Sequence, residues 1–139
     1  MLYLLMASLL IGQPADSTES PVLVRLEGFS SRDGYVRLAI FDSRDFWPED
    51  IDNAVLRLTS IIEGDTVTMD ISELPPGSYA MAAFHDEDGD AVFDRGLFGV
   101  PTEDYGFSNN VRSSTGPPDF QDALVSIEGD SLVLHITLE

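Results

Sequence analysis

From residue 21 to residue 85, apolar and polar positions alternate with a period of two, interrupted by short turn-forming clusters. Val22, Val24 and Leu26 alternate with Leu23, Arg25 and Glu27, and Phe29 follows Gly28. Such alternation places every second side chain on one face, so one face of each run can be buried. Ser31-Arg32-Asp33-Gly34 forms a turn into a second run, Tyr35 to Phe41. Two runs joined by a Gly-containing turn predict a hairpin. Ala54 to Ile62 is a third run, and Glu63-Gly64-Asp65 turns it into Thr66 to Ile71. Leu74-Pro75-Pro76-Gly77 then leads into the strand Tyr79–Phe84. At the far end Ala123 to Ile127, Glu128-Gly129-Asp130 and Leu132 to Leu138 predict a closing hairpin. No stretch sustains a 3.6-residue period over three turns. Short strands with turn signals about every 8–12 residues predict an all-β fold, an antiparallel β-sandwich of six to eight strands.

Two stretches depart from that pattern. Asp42 to Asn53 is acidic and broken by Pro48, so it reads as a loop, with Phe46 and Trp47 expected to fold back onto the core. Residues 86–121 carry little strand pattern, and a loop of that length in a compact domain is usually functional or internally pinned. Gly99-Val100-Pro101 and Gly116-Pro117-Pro118 restrict its backbone, and Tyr105, Phe107 and Phe120 are expected to bury against the sandwich edge.

Ahead of the alternation, residues 2–11 form an apolar run too short for a membrane span, which needs about 20 residues. It has the length of a signal-peptide core and is followed by a polar stretch from Gln13 to Ser20. No positive charge precedes it, so the translation start is left open. Cleavage is expected near Gly12 or Ala15. The expected organisation is a signal peptide and polar linker over 1–20 and one sandwich domain over 21–139, periplasmic or secreted, without a membrane span once the leader is removed.

The total of 139 residues suits one domain, able to bury about two-thirds of the surface its unfolded chain exposes. There is no cysteine, which removes disulfides and thiolate metal sites. All seven basic residues are arginine, against 25 acids, and the net charge is −18. That balance excludes nucleic acid and anionic membrane surfaces as natural partners and fits a cation-binding, highly soluble monomer.

The acids concentrate behind the fifth run. In His85-Asp86-Glu87-Asp88-Gly89-Asp90-Ala91-Val92-Phe93-Asp94, the residues Asp86, Asp88, Asp90 and Asp94 occupy positions 1, 3, 5 and 9 of a calcium-type loop. Hard cations take several carboxylate and carbonyl oxygens from a tightly turning backbone, and Val92 offers its carbonyl at position 7. Gly89 provides a point where the chain can adopt positive φ. Ala91 stands where an EF-hand requires Gly, and Leu97 where it requires a bidentate Glu, so the loop belongs to another scaffold. Missing ligands must come from elsewhere, with His85, Glu103, Asp104 and Asn109 as the additional candidates. Ca²⁺ is the expected ion. An acidic, solvated loop that binds nothing is the competing reading.

The same residues carry a family resemblance. The string His85 to Asp90, then Asp94, then Gly99 to Asn110, then Gly116 to Ala123 resembles the exported bacterial family of domain of unknown function 2141. Leu74-Pro75-Pro76-Gly77-Ser78-Tyr79-Ala80 is similar to that family's approach to its strand, and the resemblance spans about residues 22–138. It implies a small exported β-sandwich of immunoglobulin-like or transthyretin-like kind, and no activity. The family pattern has Asn at the places of Asp88 and Asp90 and Gly at that of Ala91, so this chain adds charge and loses a flexible position.

Three functions remain in view. The first is a non-enzymatic, extracytoplasmic module with a calcium-binding loop, acting as an envelope accessory or as a binder of an unidentified protein or carbohydrate. The second is a hydrolase using His85 with neighbouring carboxylates, against which stand the lack of a Gly-x-Ser-x-Gly elbow and of any cysteine nucleophile. The structural alternative for His85 is a hydrogen bond to loop backbone at the strand exit, and His135 reads as a sheet-face residue. The third is a transthyretin-like carrier or sugar-binding module in which Trp47, Tyr79, Tyr105 and Phe107 stack on a ligand; packing is the competing role for those rings.

Overall fold

The computed structural model describes residues 20–93 and 101–139. Its regular structure is mainly eight strands: β1 (Val22–Glu27), β2 (Tyr35–Phe41), β3 (Leu56–Ile61), β4 (Thr66–Asp70), β5 (Gly77–Asp86), β6 (Tyr105–Phe107), β7 (Leu124–Ile127) and β8 (Leu132–Thr137). The one α-helix among the described residues, α1 (Phe120–Ala123), is a single turn. The all-β sandwich expected from the alternation is the observed fold.

One sheet has the order β4-β1-β8, and the other runs β3-β2-β5-β6, with β7 also on β5. The alternation meets in the middle. Val22, Val24 and Leu26 of β1 and Val67 and Met69 of β4 face Val36, Leu38 and Ile40 of β2 and Tyr79, Met81 and Ala83 of β5, all within the buried core. Each fully buried Leu or Ile in such a core stabilises by about 1.5–3 kcal/mol.

Neither predicted hairpin forms. β1 pairs with β4 and β8, whereas β2 pairs with β3 and β5, so the turn at Ser31–Gly34 crosses from one sheet to the other. The final two runs also part, β7 joining β5 and β8 joining β1. Nor is the sandwich wholly antiparallel: β1 and β8 run parallel, in register from Val22↔Leu132 to Glu27↔Thr137. Local turn chemistry marks a reversal of direction but not which sheet receives the next strand.

β5 is the longest strand and takes two partners in succession on one edge. Gly77–Ala80 pairs with β7 and Ala82–Phe84 with β6. Met81 lies between these ladders, and its N–H donates to the Ser108 hydroxyl, 2.9 Å away. The outer face of this sheet is covered as well. Phe41 and Ala80 are buried there, and Trp47 lies edge-on to Phe41, Phe107 and Phe120 with ring centroids 5.6, 5.6 and 6.2 Å apart. The expected return of Trp47, Phe107 and Phe120 to the sandwich is thus observed. The stretch after residue 101 contains a strand, β6, that the sequence pattern did not reveal.

Candidate metal site

The pleat of β5 continues through His85 and Asp86, and it sorts the two residues. His85 extends the core-facing row of Tyr79, Met81 and Ala83, while Asp86 extends the opposite row of Ala80, Ala82 and Phe84. Both are 0% exposed. β2 flanks them in register, Val36↔His85 and Tyr35↔Asp86. On the other edge the His85 N–H donates to the Asp104 carbonyl at 2.9 Å, which brings the approach to β6 alongside. Gly34 closes the site from the sheet-crossing turn. Its φ is +67°, and a β-carbon there would come within 2.0 Å of the Asp86 carbonyl oxygen. No side chain fits that position.

Asp86 holds the first cluster together. Its Oδ2 accepts from Arg37 Nε at 2.6 Å and from the Ala91 N–H at 2.9 Å. Its Oδ1 is buried without a hydrogen-bond partner. Carboxylate oxygens of Asp86, Asp88 and the buried Glu103 lie within 4.8 Å of one another. That span equals about two Ca–O bonds of 2.4 Å, so one cation can reach all three. The loop backbone is folded around its own acids: Asp88 Oδ1 accepts from the Asp90 N–H at 3.3 Å, and Asp90 Oδ1 from the Val92 N–H at 2.9 Å. Ala91 has φ +63° and so adopts the left-handed conformation that favours Gly, at a cost of about 1–2 kcal/mol. Burial pushes the Asp86 carboxyl up, but the Arg37 guanidinium, the Ala91 N–H and the adjacent Asp88 carboxyl outweigh it and hold the pKa below the usual carboxylate value.

The second cluster lies on the other side of the same strand end. His85 Nε2 is 2.7 Å from the Asp33 carbonyl oxygen, which can only accept, so Nε2 carries a proton and donates it. Nδ1 is buried without a hydrogen-bond partner, 3.7 Å from Glu87 Oε1. A ring nitrogen of His85 and carboxylate oxygens of Glu87 and Asp104 lie within 4.8 Å of one another. Asp104 Oδ2 accepts from the Ser30 N–H at 3.1 Å and from the Ser30 hydroxyl.

The structure therefore brings Asp86, Asp88 and Glu103 into one group and His85, Glu87 and Asp104 into another. Asp90 is not in either group, its carboxylate being turned to the Val92 N–H. Asn109 is committed elsewhere, its amide donating to the carbonyls of Asp122 at 3.1 Å and Leu124 at 2.9 Å. Asp94 lies outside the described residues. Arg37, Ser30 and Gly34 were missed from sequence. For Arg37 a signal existed, since a lone charge within the apolar run Tyr35–Phe41 requires a partner.

The residues of the other readings have definite places. The imidazole of His85 is anchored through Nε2 to loop backbone, and His135 is exposed on β8, opposite Arg25. Trp47 Nε1 donates to the Pro118 carbonyl at 2.8 Å and the Tyr79 hydroxyl to the Pro75 carbonyl at 2.6 Å. Tyr105 and Phe107 pack on each other, 5.7 Å apart. A shallow groove of about 480 Å³ beside Trp47 is lined by Arg44, Glu49, Pro118, Phe120 and Gln121. No helix among the described residues is long and apolar enough to cross a membrane.

Compared with known proteins, residues 24–134 match the family model described as uncharacterized protein conserved in bacteria (DUF2141). Neither the curated proteins nor the solved structures gave a match.

Proposed function

The chain belongs to the bacterial DUF2141 family, and on that premise we propose that it is an exported, non-catalytic β-sandwich module whose acidic loop takes up one Ca²⁺. The observation that carries this reading is Asp86 Oδ1, a buried carboxylate oxygen without a hydrogen-bond partner beside two further carboxylates. Buried polar atoms left unpartnered cost about 1–3 kcal/mol, and a cation removes that cost. Ca²⁺ suits an all-oxygen group of irregular shape better than Mg²⁺, which demands a near-ideal octahedron.

Asp86, Asp88 and Glu103 supply the side-chain ligands, with Asp94 and the Val92 carbonyl as further oxygens of the same loop. Glu103 comes from beyond the loop, so the ion ties the 86–93 turn to the approach of β6 and steadies the 101–121 segment for a protein or carbohydrate partner. Outside the cytoplasm, millimolar calcium keeps such a site filled.

Thermal unfolding and calorimetry test the proposal. At a hundred times the dissociation constant, Ca²⁺ stabilises the folded chain by about 2.7 kcal/mol, a rise of roughly 10 °C in melting temperature for this size. Asp88→Asn removes the rise. Superimposable melting curves in calcium and in chelator, with no heat of binding, overturn the calcium reading. Recovery of the native protein from the cytoplasm with Met1 retained overturns export.

A further inference from the structure

We propose that the second cluster, His85 with Glu87 and Asp104, is a separate site for a borderline divalent cation of the Zn²⁺ or Co²⁺ class. It goes beyond the calcium reading and does not depend on it. The argument begins with the tautomer. Because Nε2 donates to the Asp33 carbonyl at 2.7 Å, the neutral ring presents a lone pair at Nδ1. That nitrogen is completely buried, has no hydrogen-bond partner and lies 3.7 Å from Glu87 Oε1. A ring N–H held by a backbone carbonyl is the arrangement that orients metal-binding imidazoles and raises their basicity.

Strand geometry separates this group from its neighbour. His85 and Asp86 point to opposite faces of β5, which ends at Asp86; in the turn beyond it Glu87 groups with His85 and Asp104, and Asp88 with Asp86 and Glu103. The donor chemistry differs accordingly. Three carboxylates suit a hard cation, whereas one imidazole nitrogen with two carboxylates favours a borderline one. Three protein ligands leave at least one coordination position open.

The geometry is within reach. Bonds of about 2.0–2.1 Å place tetrahedral donors roughly 3.4 Å apart. The His85–Glu87 pair stands at 3.7 Å, and the whole set within 4.8 Å. Glu87 supplies the missing movement, because its side chain is 47% exposed and, among the described residues, is held by a long contact of 3.5 Å from the Ser31 hydroxyl, besides His85. Asp104 is steadied through Oδ2 by Ser30, which orients the carboxylate.

The test is titration of tag-free, full-length chain with Zn²⁺ in saturating Ca²⁺, with Co²⁺ absorption reporting the ligand field and nitrogen NMR reporting His85 Nδ1. One equivalent is expected to bind and to shift Nδ1 rather than Nε2. Glu87→Gln and Asp104→Asn are each expected to weaken binding tenfold or more. His135→Gln leaves it unchanged. Glu87 is half exposed, so its variant keeps the fold. No stoichiometric binding overturns the second site; so does binding that survives Glu87→Gln. Release of one bound Ca²⁺ for each Zn²⁺ taken up would mean a single shared site and also overturns it. Because the calcium reading is scored by the Ca²⁺-dependent melting of the native chain, either proposal can fail alone.

Discussion

Two regions beside the same sheet are held by opposite means. The segment from Asp42 to Val55 is anchored by rings: Trp47 packs edge-on against Phe41, Phe107 and Phe120 and donates to the Pro118 carbonyl. The turn after β5 is anchored largely by charge: Asp86 with Arg37, Asp104 with Ser30, and acids accepting their own backbone N–H groups. Apolar anchoring is indifferent to pH and to ions, since it depends on area removed from water. Charged anchoring responds to both. The ring anchoring of the first connection is therefore expected to hold when calcium or pH changes, and the charged anchoring of the second to respond.

The largest expected effect breaks the aromatic side. Trp47→Ala should cost about 3 kcal/mol, in the range for loss of a large ring from a packed site, and chemical denaturation should give the same loss in calcium and in chelator. A loss that depends on calcium would show that the two connections are not independent.

Next is the charged side. Arg37→Met strands a fully buried carboxylate, and removing one member of a buried pair costs about 3–5 kcal/mol. Arg37 is itself 25% exposed, so about 2 kcal/mol is the expected value in chelator. Calcium should recover part of it, because a cation takes over the guanidinium's role. Equal losses with and without calcium count against a cation beside Asp86.

Acid gives a smaller, graded effect. The folded pKa of Asp86 is lowered, so its contribution is complete above the unfolded value of about 3.9 and is lost as pH falls through the lower folded one. In chelator, the stability of the native chain should fall through that window, and Asp86→Asn should fall less steeply. Parallel curves for the two proteins would remove Asp86 from the account.

The smallest effect probes the join between the two systems. Phe93 follows the acidic turn and packs edge-on to Phe84 and Tyr105 at 5.5 and 5.6 Å. Phe93→Leu should cost about 1 kcal/mol, since aromatic pairs add about 0.5–1.5 kcal/mol beyond area. A larger change in calcium affinity than in stability would mean that the ring sets the loop's shape.

The strands were legible because alternation is local. Val22-Val24-Leu26 and Val36-Leu38-Ile40 each announce one buried face, and both are buried as read. Their assignment to sheets was not legible, because an inward face is the same whichever sheet carries it. The Ser31–Gly34 turn shows this: it reverses the chain as a hairpin turn does, yet delivers β2 to the opposite layer. β6 was hidden by length, three residues being too few for a period. Of the candidate site, the acids after β5 were visible as a run, and Glu103 and Asp104 were candidates on proximity. Their division between two clusters starts from the opposite faces of His85 and Asp86 and from the backbone bond that brings Asp104 beside His85, which is a fact about distant residues. Arg37 was visible as a residue and not as a partner, because its carboxylate lies 49 positions away.

The parallel pairing of β1 with β8 has a mechanical consequence. Six consecutive register pairs join these strands, from Val22↔Leu132 to Glu27↔Thr137. A pull on the start of β1 against the end of β8 runs along the strands, so the cross-links between them share the load and cannot open singly as in a peeled hairpin. Resistance to force is a matter of unfolding rate, and this geometry places the rate-limiting clamp at the junction of the earliest and latest strands. Tethered from both sides, the domain would behave as a stiff link that yields abruptly instead of a spring that extends by degrees.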